Sequence, residues 1–336
     1  MVQNRTVRLH VGFFVSVPVA SLSFVLGSLL VGCSTDRAPR AEPASATESA
    51  TESATDAPTI PPSTEPARPC QQTEFGGPRP VMLGVPTTYR CERAAPLVVA
   101  LHGYTGNGGG VVQYFGIKAE AEKRGYLYLA PNGTTDGAGN NFWNATTACC
   151  DFAKTNVDDT AYLSTLISDV AEEWNVDPKR VYFMGHSNGG FMSYRMACEH
   201  SDTIAAIASL AGAMRADADT CTPAQPVSVI QVHGTSDTTI SYQGGQIGAN
   251  PYPSAEQSVR GWQTLNGCAT DATSSAGVYD LDEVIPGLDT DTVTYSGCRN
   301  ATEVALWTIP NGPHSPQLSA GFASAVFDFF DAHPKP

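Results

Sequence analysis

Short apolar runs recur along the chain beyond residue 80, and each is typical of a buried strand. They predict strands at Val81–Val85, Leu97–Leu101, Leu127–Ala130, Arg180–Met184, Ile204–Leu210, Val227–Val232 and Val304–Ile309. Between them, apolar residues at helical spacing predict helices over Asp158–Trp174, Ser254–Leu265 and Pro316–His333. This alternation predicts an α/β fold, with a mostly parallel sheet covered by helices on both faces. Residues 134–157 and 270–297 lack periodicity and are predicted to be loops over the functional site.

The first 32 residues, 1–32, are predicted to be an export signal. Arg5 and Arg8 give a positive start, and Val11–Val31 is almost wholly apolar and carries no charge. The segment ends in Leu30-Val31-Gly32-Cys33, which resembles a bacterial lipobox, where the cysteine is lipidated and becomes the mature N-terminus. An ordinary signal peptide and a membrane anchor are the alternatives. A lipid on Cys33 would hold an extracytoplasmic protein at the cell surface; without it the chain would be secreted.

Residues 33–69 are predicted to be a disordered tether. Ala, Ser, Thr and Pro make up most of this segment, and Ala46-Thr47-Glu48-Ser49 repeats at once as Ala50-Thr51-Glu52-Ser53. Such a composition buries too little apolar surface to offset the entropy lost on ordering. The folded domain is therefore predicted at residues 70–336.

The negative net charge of the chain argues against one class of partner, nucleic acids. The 336 residues include 19 Lys and Arg against 33 Asp and Glu, which gives a net charge of −14. Nucleic-acid binding needs a basic face, so no nucleic-acid partner is expected.

The nine cysteines indicate an oxidising compartment. Eight remain after Cys33, an even number that predicts four disulfides. Cys70 with Cys91 and Cys268 with Cys298 are the expected pairs, and the partners of four others stay open: Cys149, Cys150, Cys198 and Cys221. A zinc site is the rival interpretation, but no CxxC or HxxxH spacing supports it, so no metal is expected. Redox activity of the adjacent pair Cys149-Cys150 is a further alternative.

The strongest chemical signal is Gly185-His186-Ser187-Asn188-Gly189. It follows the strand predicted at Arg180–Met184 and precedes an apolar helical run at Phe191–Cys198. A strand, a sharp turn and a helix are the context of a nucleophile elbow, in which the serine hydroxyl is exposed above the sheet. Ser187 is therefore the candidate nucleophile, and a glycine-rich packing turn is the alternative.

A serine hydroxyl needs a general base, and His314 is the best placed of the seven histidines. It lies in a loop between the last predicted strand and the last predicted helix, where loops face the site of such a sheet. His102 is expected to shape its own loop instead.

The base needs an orienting carboxylate, for which Asp237 is the candidate, just after the strand Val227–Val232. The order Ser187, Asp237, His314 is the order expected in α/β-hydrolases. A turn-capping role is the alternative for Asp237. The weaker carboxylate candidates lie in the irregular segment and are Asp271, Asp280 and Asp289.

Two backbone amides are expected to form the oxyanion hole. The Tyr104 N–H belongs to the loop Leu101-His102-Gly103-Tyr104 after an early strand, and the Asn188 N–H follows the nucleophile. Trp143 and His186 are the candidate substrate-binding residues. For Trp143, a place in the core is an equally good interpretation.

These motifs together resemble the family of secreted polyhydroxybutyrate depolymerases, feruloyl esterases and acetylxylan esterases, within its LpqC-like lipoprotein branch. The resemblance spans about residues 75–330 and rests on Leu101-His102-Gly103, Trp143, Cys149-Cys150, Val157-Asp158-Asp159, Arg180-Val181-Tyr182, Gly185–Gly190, Val232-His233-Gly234, Asp237, Cys268, Cys298 and His314. It implies an α/β-hydrolase fold and a carboxylic ester hydrolase without a cofactor. The chain departs from the family pattern at Tyr104, often Cys there, and around His314.

The expected function is that of an extracytoplasmic serine esterase. Its partners would be small esters or oligoesters, including polymer-derived ones, of the feruloyl, acetylxylan or polyhydroxybutyrate type. A peptidase or acyltransferase on the same scaffold is the first alternative, since fold and triad do not choose between these activities. A non-catalytic surface-binding lipoprotein is the second, although it would not need a complete Ser–Asp–His set.

Overall fold

A central sheet of eight strands organises the protein, whose computed structural model describes residues 69–217 and 220–336. The predicted signal at 1–32, Cys33 and all but the last residue of the tether lie outside the described residues. The strands are β1 Glu74–Phe75, β2 Val81–Met82, β3 Ala95–Leu101, β4 Leu127–Leu129, β5 Thr134–Thr135, β6 Asn141–Phe142, β7 Val176–His186, β8 Ala206–Leu210, β9 Ser228–Gly234, β10 Gly245–Ile247, β11 Asn250–Tyr252, β12 Ala272–Tyr279, β13 Thr290–Tyr295 and β14 Val304–Ile309.

The described residues also form six α-helices, several of which begin at a side-chain cap. Asp158 accepts from the Ala161 amide at the start of the third helix, and Ser254 forms a capping box with Gln257 at the fifth. The helices are α1 Gly108–Tyr114, α2 Ile117–Arg124, α3 Asp159–Glu173, α4 Asn188–Glu199, α5 Ala255–Asn266 and α6 Ala320–Ala332.

The central sheet has the strand order β12-β13-β14-β9-β8-β7-β3-β4. The six strands from β14 to β4 are parallel, and β13 and β12 add an antiparallel edge. Parallel strands place their carboxyl ends at one edge, so the loops after β3, β7, β9 and β14 all emerge on the same side.

Two apolar layers cover the sheet, and alternate residues of β3 divide between them. Leu97 and Val99 face the layer that includes α3, α4 and α5, whereas Val98 and Ala100 face the layer of α1, α2 and α6. Because both faces are buried, the parallel strands are nearly continuous in apolar residues. The predicted α/β architecture is confirmed.

One prediction about the chain path is wrong, and another holds only in part. Residues 270–297 are not loops over the site, because they hold β12 and β13 at the far edge of the sheet. Most of β12 is exposed and consists of small and polar residues, so it lacks the apolar run of a buried strand. Val81–Val85 contributes β2, which pairs with β1 outside the central sheet, and an isolated antiparallel bridge from Gly84 to Tyr128 of β4.

Four disulfides link the cysteines of the described part of the chain. Cys70 pairs with Cys91 and Cys268 with Cys298, as expected from the sequence. The four cysteines whose partners the sequence left undecided pair as Cys149 with Cys150 and Cys198 with Cys221. Among the described residues, no helix combines the length and the apolar character needed to cross a membrane.

Candidate active site

Ser187 occupies a sharp turn between β7, which ends at His186, and α4, which begins at Asn188. Its backbone has φ 53° and ψ −118°, a conformation that a residue with a Cβ rarely adopts. The Ser187 amide donates a 2.8 Å hydrogen bond to the Leu210 carbonyl of neighbouring β8, which holds the strained turn in place.

Close backbone approaches explain the glycines of the motif. A Cβ on Gly185 would lie 2.2 Å from the Gly189 backbone, and a Cβ on Gly189 would lie 2.1 Å from the Leu101 carbonyl oxygen. Larger residues would therefore push α4 away from β7 and β3. The turn at Ser187 depends on both contacts, as a nucleophile elbow requires.

The side chains of His314 and Asp237 meet at the carboxyl ends of two adjacent strands. Asp237 follows β9 and His314 follows β14, and Nδ1 of His314 lies 2.7 Å from Oδ2 of Asp237. The two loops are tied together because the Ser236 amide donates to the Gly312 carbonyl over 2.9 Å. The imidazole is 17% exposed and the carboxylate is fully buried, so of the two side chains only the histidine is open to solvent.

Asp237 is held as a carboxylate. Burial raises its pKa, but hydrogen bonds from His233 and His314 outweigh that effect and hold the pKa far below the usual range. Its other oxygen, Oδ1, accepts from the amides of Thr239 and Ile240, each over 2.8 Å. A buried negative charge with four donors is suited to stabilise a protonated imidazole at His314.

His186 connects the turn at Ser187 to the loop that carries His314. Its Nε2–H donates to the His314 carbonyl oxygen over 3.0 Å, and the two imidazole rings lie 5.0 Å apart. Burial lowers the pKa of His186 to about 4, so the ring is neutral near pH 7. His186 therefore ties the loop of His314 to the turn at Ser187 without adding a positive charge.

The two predicted oxyanion amides flank Ser187. Asn188 directly follows the serine, and a Cβ on Gly103, next to Tyr104, would lie 3.3 Å from the Ser187 Cβ. Within residues 69–217 and 220–336, neither the Tyr104 N–H nor the Asn188 N–H donates a hydrogen bond to another group. Both donors are therefore free for an oxygen of a substrate.

His102 shapes the loop that carries Tyr104. Its Nδ1 lies 2.7 Å from the Gly103 carbonyl oxygen, and its Nε2 accepts from the Gly133 amide over 2.9 Å. These partners define a neutral ring with the proton on Nδ1. Burial also lowers the pKa of His102, in keeping with the structural role expected from the sequence.

Trp143 supports the elbow from behind. The side chain is fully buried, and its indole N–H donates to the His102 carbonyl oxygen over 3.1 Å. Its backbone pairs with the Asn188 side chain through bonds of 2.7 and 2.9 Å. A fully buried ring offers no surface to a ligand, so the structure corrects the predicted substrate-binding role of Trp143 in favour of its core alternative.

A cleft of about 180 Å³ adjoins the elbow. Its lining includes Gly103, His186 and Tyr114 of α1, and the ring centroids of Tyr114 and His186 lie 5.2 Å apart. The weaker carboxylate candidates have no contact with His314; Asp289, for example, accepts from the amides of Leu281 and Asp282.

No group of three or more His, Cys, Asp and Glu side chains suited to hold a metal ion exists in the described part of the chain. The absence of a metal or other cofactor stays a prediction from the sequence.

No role was predicted for two polar residues behind the site, Gln231 and His233, although His233 belongs to the motif Val232-His233-Gly234. Both are buried on β9, and His233 contacts the Asp237 carboxylate with Nε2 3.2 Å from Oδ2. The available signal was the pair of polar residues within an otherwise apolar strand, with His233 four positions before Asp237.

The fold and the elbow define the α/β-hydrolase class, and comparison with known proteins places the chain within it. Residues 88–264, more than half of the chain, match the family described as Phospholipase/Carboxylesterase. The chain belongs to this family. The matched region includes Ser187 and Asp237, and His314 lies beyond it.

Named relatives agree with the family resemblance inferred from the motifs. Feruloyl esterase B of Piromyces equi is 27% identical over 245 residues, which are 70% of this chain and 42% of that protein. Feruloyl esterase D of Neurospora crassa is 26% identical over 222 residues, 64% of this chain and 63% of that protein. The chain thus spans about 42–63% of the length of these relatives.

Among solved structures, an acetyl xylan esterase from Aspergillus awamori matches with a TM-score of 0.54 and 15% identity. The match covers 75% of this chain and 93% of the other. This likeness confirms the fold.

Proposed function

We propose that the protein is an extracytoplasmic serine esterase that hydrolyses carboxylic esters through Ser187, His314 and Asp237. The observation that carries this proposal is the 2.7 Å contact between His314 Nδ1 and Asp237 Oδ2, beside a serine in a strained elbow. A nucleophile, a base and a buried carboxylate on three loops at the same edge of the sheet have the arrangement needed for acyl transfer.

In the first half of the reaction, the Ser187 hydroxyl oxygen attacks the ester carbonyl and His314 Nε2 takes the hydroxyl proton. The negative charge on the carbonyl oxygen is stabilised by the amides of Tyr104 and Asn188. Collapse of this intermediate breaks the ester C–O bond, and the alkoxide leaves as an alcohol with the proton from His314. An acyl group then remains on Ser187.

In the second half, water attacks the acyl-enzyme and His314 accepts a proton from it. Collapse of the second intermediate returns that proton to the Ser187 oxygen and releases the carboxylic acid. Asp237 stays ionised throughout, keeps the Nδ1 proton in place and stabilises the imidazolium formed in each half.

The substrates proposed are small esters or oligoesters of the feruloyl, acetylxylan or 3-hydroxybutyrate type. Support for the feruloyl and acetylxylan types comes from relatives that are named feruloyl esterase and bifunctional acetylxylan esterase/xylanase. The cleft of about 180 Å³ beside Ser187, with Tyr114 and His186 along it, is the proposed place of the acyl group.

The proposed location is outside the cytoplasm. Four disulfides are typical of an oxidising compartment. Lipidation at Cys33, after a signal at 1–32 and before the tether at 33–69, remains part of the proposal, as does the assignment of 70–336 as the catalytic domain.

Labelling with a fluorophosphonate tests this function, because the reagent forms a covalent bond with an activated serine. We expect one label per molecule on Ser187, and none on Ser187→Ala. Ser315→Ala is the matched control, because Ser315 is exposed and its Oγ lies 3.3 Å from His186 Nε2. Retained labelling of folded Ser187→Ala would overturn the proposal, and an unlabelled wild-type protein would favour a binding lipoprotein.

A further inference from the structure

Two polar side chains are buried directly behind the proposed triad. Gln231 and His233 lie on β9 and point to the same face of the sheet, because alternate residues of a strand share a face. Both are almost completely inaccessible, with relative exposures of 0% and 1%. Neither can touch a substrate, and the proposed reaction assigns neither a step.

The amide of Gln231 has a defined orientation. Its Nε2 lies 2.9 Å from the Gly212 carbonyl oxygen, which can only accept a hydrogen bond. The atom at this position must therefore be the nitrogen. The same nitrogen lies 3.1 Å from Nδ1 of His233, so it has a second N–H to donate there.

The orientation of Gln231 determines the proton position on His233. Because Nδ1 faces an N–H donor, Nδ1 must carry a lone pair and the ring must be neutral. The proton is then on Nε2, which lies 2.8 Å from the Ile240 carbonyl oxygen and 3.2 Å from Oδ2 of Asp237. Both of these oxygens are acceptors, which agrees with an N–H at that position.

The Asp237 carboxylate is fixed by these contacts. Oδ2 accepts from His233 and from His314, while Oδ1 accepts from two backbone amides. With the other neutral tautomer, the Nε2 lone pair of His233 would face two oxygens. The resulting repulsion would displace the carboxylate from the position in which it meets His314.

We propose that Gln231 and His233 are positioning residues of this active site: Gln231 keeps His233 neutral with its proton on Nε2, and His233 holds Asp237 in place for His314. The inference rests on the proposed function of the triad. It predicts a hydrogen-bonded series from the Gly212 carbonyl through Gln231, His233 and Asp237 to the base. His233 carries no proton to or from the substrate.

Packing alone is the competing explanation. If His233 only filled space, an apolar residue of similar volume would leave the pH profile unchanged. The other titratable groups that face the series are Tyr242, whose ring centroid lies 5.7 Å from that of His233, and His186 beside His314. Tyr242 and His186 are unchanged in every variant below, so their effects on the pH profile cancel when the variants are compared.

His233→Gln and His233→Leu form a matched pair for the test. Gln retains an N–H donor near the position of Nε2, whereas Leu retains only volume. We expect kcat of the Leu variant on a soluble ester to fall about ten- to hundredfold with KM nearly unchanged, because one donor to a buried charge is lost. We expect the Gln variant to recover most of this loss.

Gln231→Glu tests the tautomer of His233 through the pH profile, which should shift in the direction opposite to that of His233→Leu. A carboxylate at position 231 would accept a hydrogen bond from a protonated Nδ1, so His233 would take up a second proton from solvent and become an imidazolium. That positive charge beside Asp237 opposes protonation of the base, so the acid limb of the kcat/KM profile should move to lower pH. In His233→Leu the carboxylate loses a donor, and the acid limb should move to higher pH.

Equal kcat values for His233→Leu and His233→Gln would overturn the proposal. Shifts of the acid limb in the same direction in His233→Leu and Gln231→Glu would overturn it as well. Should these variants not fold, ¹⁵N-histidine spectra of the wild-type protein decide: His233 must be neutral with its proton on Nε2, and any other state contradicts the inference.

Ser187→Ala separates the proposed esterase function from the proposed positioning role. Activity that survives in Ser187→Ala refutes the function, while an inactive Ser187→Ala with unaffected His233 variants refutes only the positioning role.

Discussion

Nδ1 of His314 lies 2.7 Å from Oδ2 of Asp237, although 77 positions separate the two residues in the chain. The contact follows from the sheet, because β9 and β14 are parallel neighbours and end at the same edge. Hydrogen bonds between the loops then fix the approach, including one from the Asn311 amide to the Thr235 hydroxyl over 2.8 Å. The position of the proposed base is therefore set by strand register.

Asp237→Asn should lower kcat by about 10⁴-fold, because an amide would favour the wrong tautomer of His314. Steady-state hydrolysis of a soluble ester measures the effect. Asp289→Asn is the control: Asp289 is also buried and accepts backbone N–H groups, but it lies among the residues between β12 and β13. The Asp289→Asn variant should lose folding stability and keep the kcat of the wild-type protein. Equal kcat values for the two variants would remove Asp237 from the reaction.

His186 should make folding stability depend on pH in the mildly acidic range. The folded ring has a pKa of about 4, whereas an unfolded histidine titrates near 6.5, so the unfolded state binds more protons between these values. Stability should therefore fall as the pH drops from 6.5 to 4, by about 3 kcal/mol for this group.

His186→Gln is the matched variant, since Gln keeps an N–H donor for the His314 carbonyl but cannot titrate. Urea unfolding at pH 7, 5.5 and 4.5 should show a steeper loss in the wild-type protein than in the variant. The pKa of Asp237 is lowered, so its stabilising effect is lost only at more acidic pH and does not enter this window. Parallel curves for the two proteins would contradict the assignment.

The close contact at Gly189 should make it intolerant of a methyl group. Gly189→Ala places a Cβ 2.1 Å from the Leu101 oxygen and should cost about 3 kcal/mol or more of folding stability. Gly109→Ala is the control, because its nearest neighbour would be 3.5 Å away in an exposed helical position. That variant should gain up to about 1 kcal/mol. Similar unfolding midpoints would show that α4 does not depend on this contact.

The Cys198–Cys221 disulfide should stabilise the domain through the segment that it closes. Its cysteines are 23 positions apart, and a loop of this length predicts a loss of about 3 kcal/mol in Cys198→Ala/Cys221→Ala. Urea unfolding of the double variant and the wild type under oxidising conditions measures the loss. An unchanged midpoint would contradict this stabilising role.

The sequence predicted the parallel part of the fold well and its edge poorly, for a physical reason. Strands such as β3 are buried on both faces, so an apolar run of suitable length identifies them. Strand β12 has an exposed face and an open edge, and its small polar residues show no such run. Helix α1 was also missed, because three glycines begin it and weaken the helical pattern.

The site was predictable where the chemistry depends on residue type and order, as for Ser187, Asp237 and His314. It was not predictable where the role depends on which atoms face each other. Trp143 could be core or pocket until its burial was known. The link between Gln231 and Asp237 became visible only with the distances around His233.

The most direct test of the central claim is kcat/KM of the purified protein on methyl ferulate and on a 3-hydroxybutyrate dimer, with Ser187→Ala beside it. We predict hydrolysis of at least one ester by the wild-type protein and a loss of about 10⁴-fold or more in the variant. The preferred ester would identify the acyl group. Full activity of folded Ser187→Ala on either ester would contradict the account.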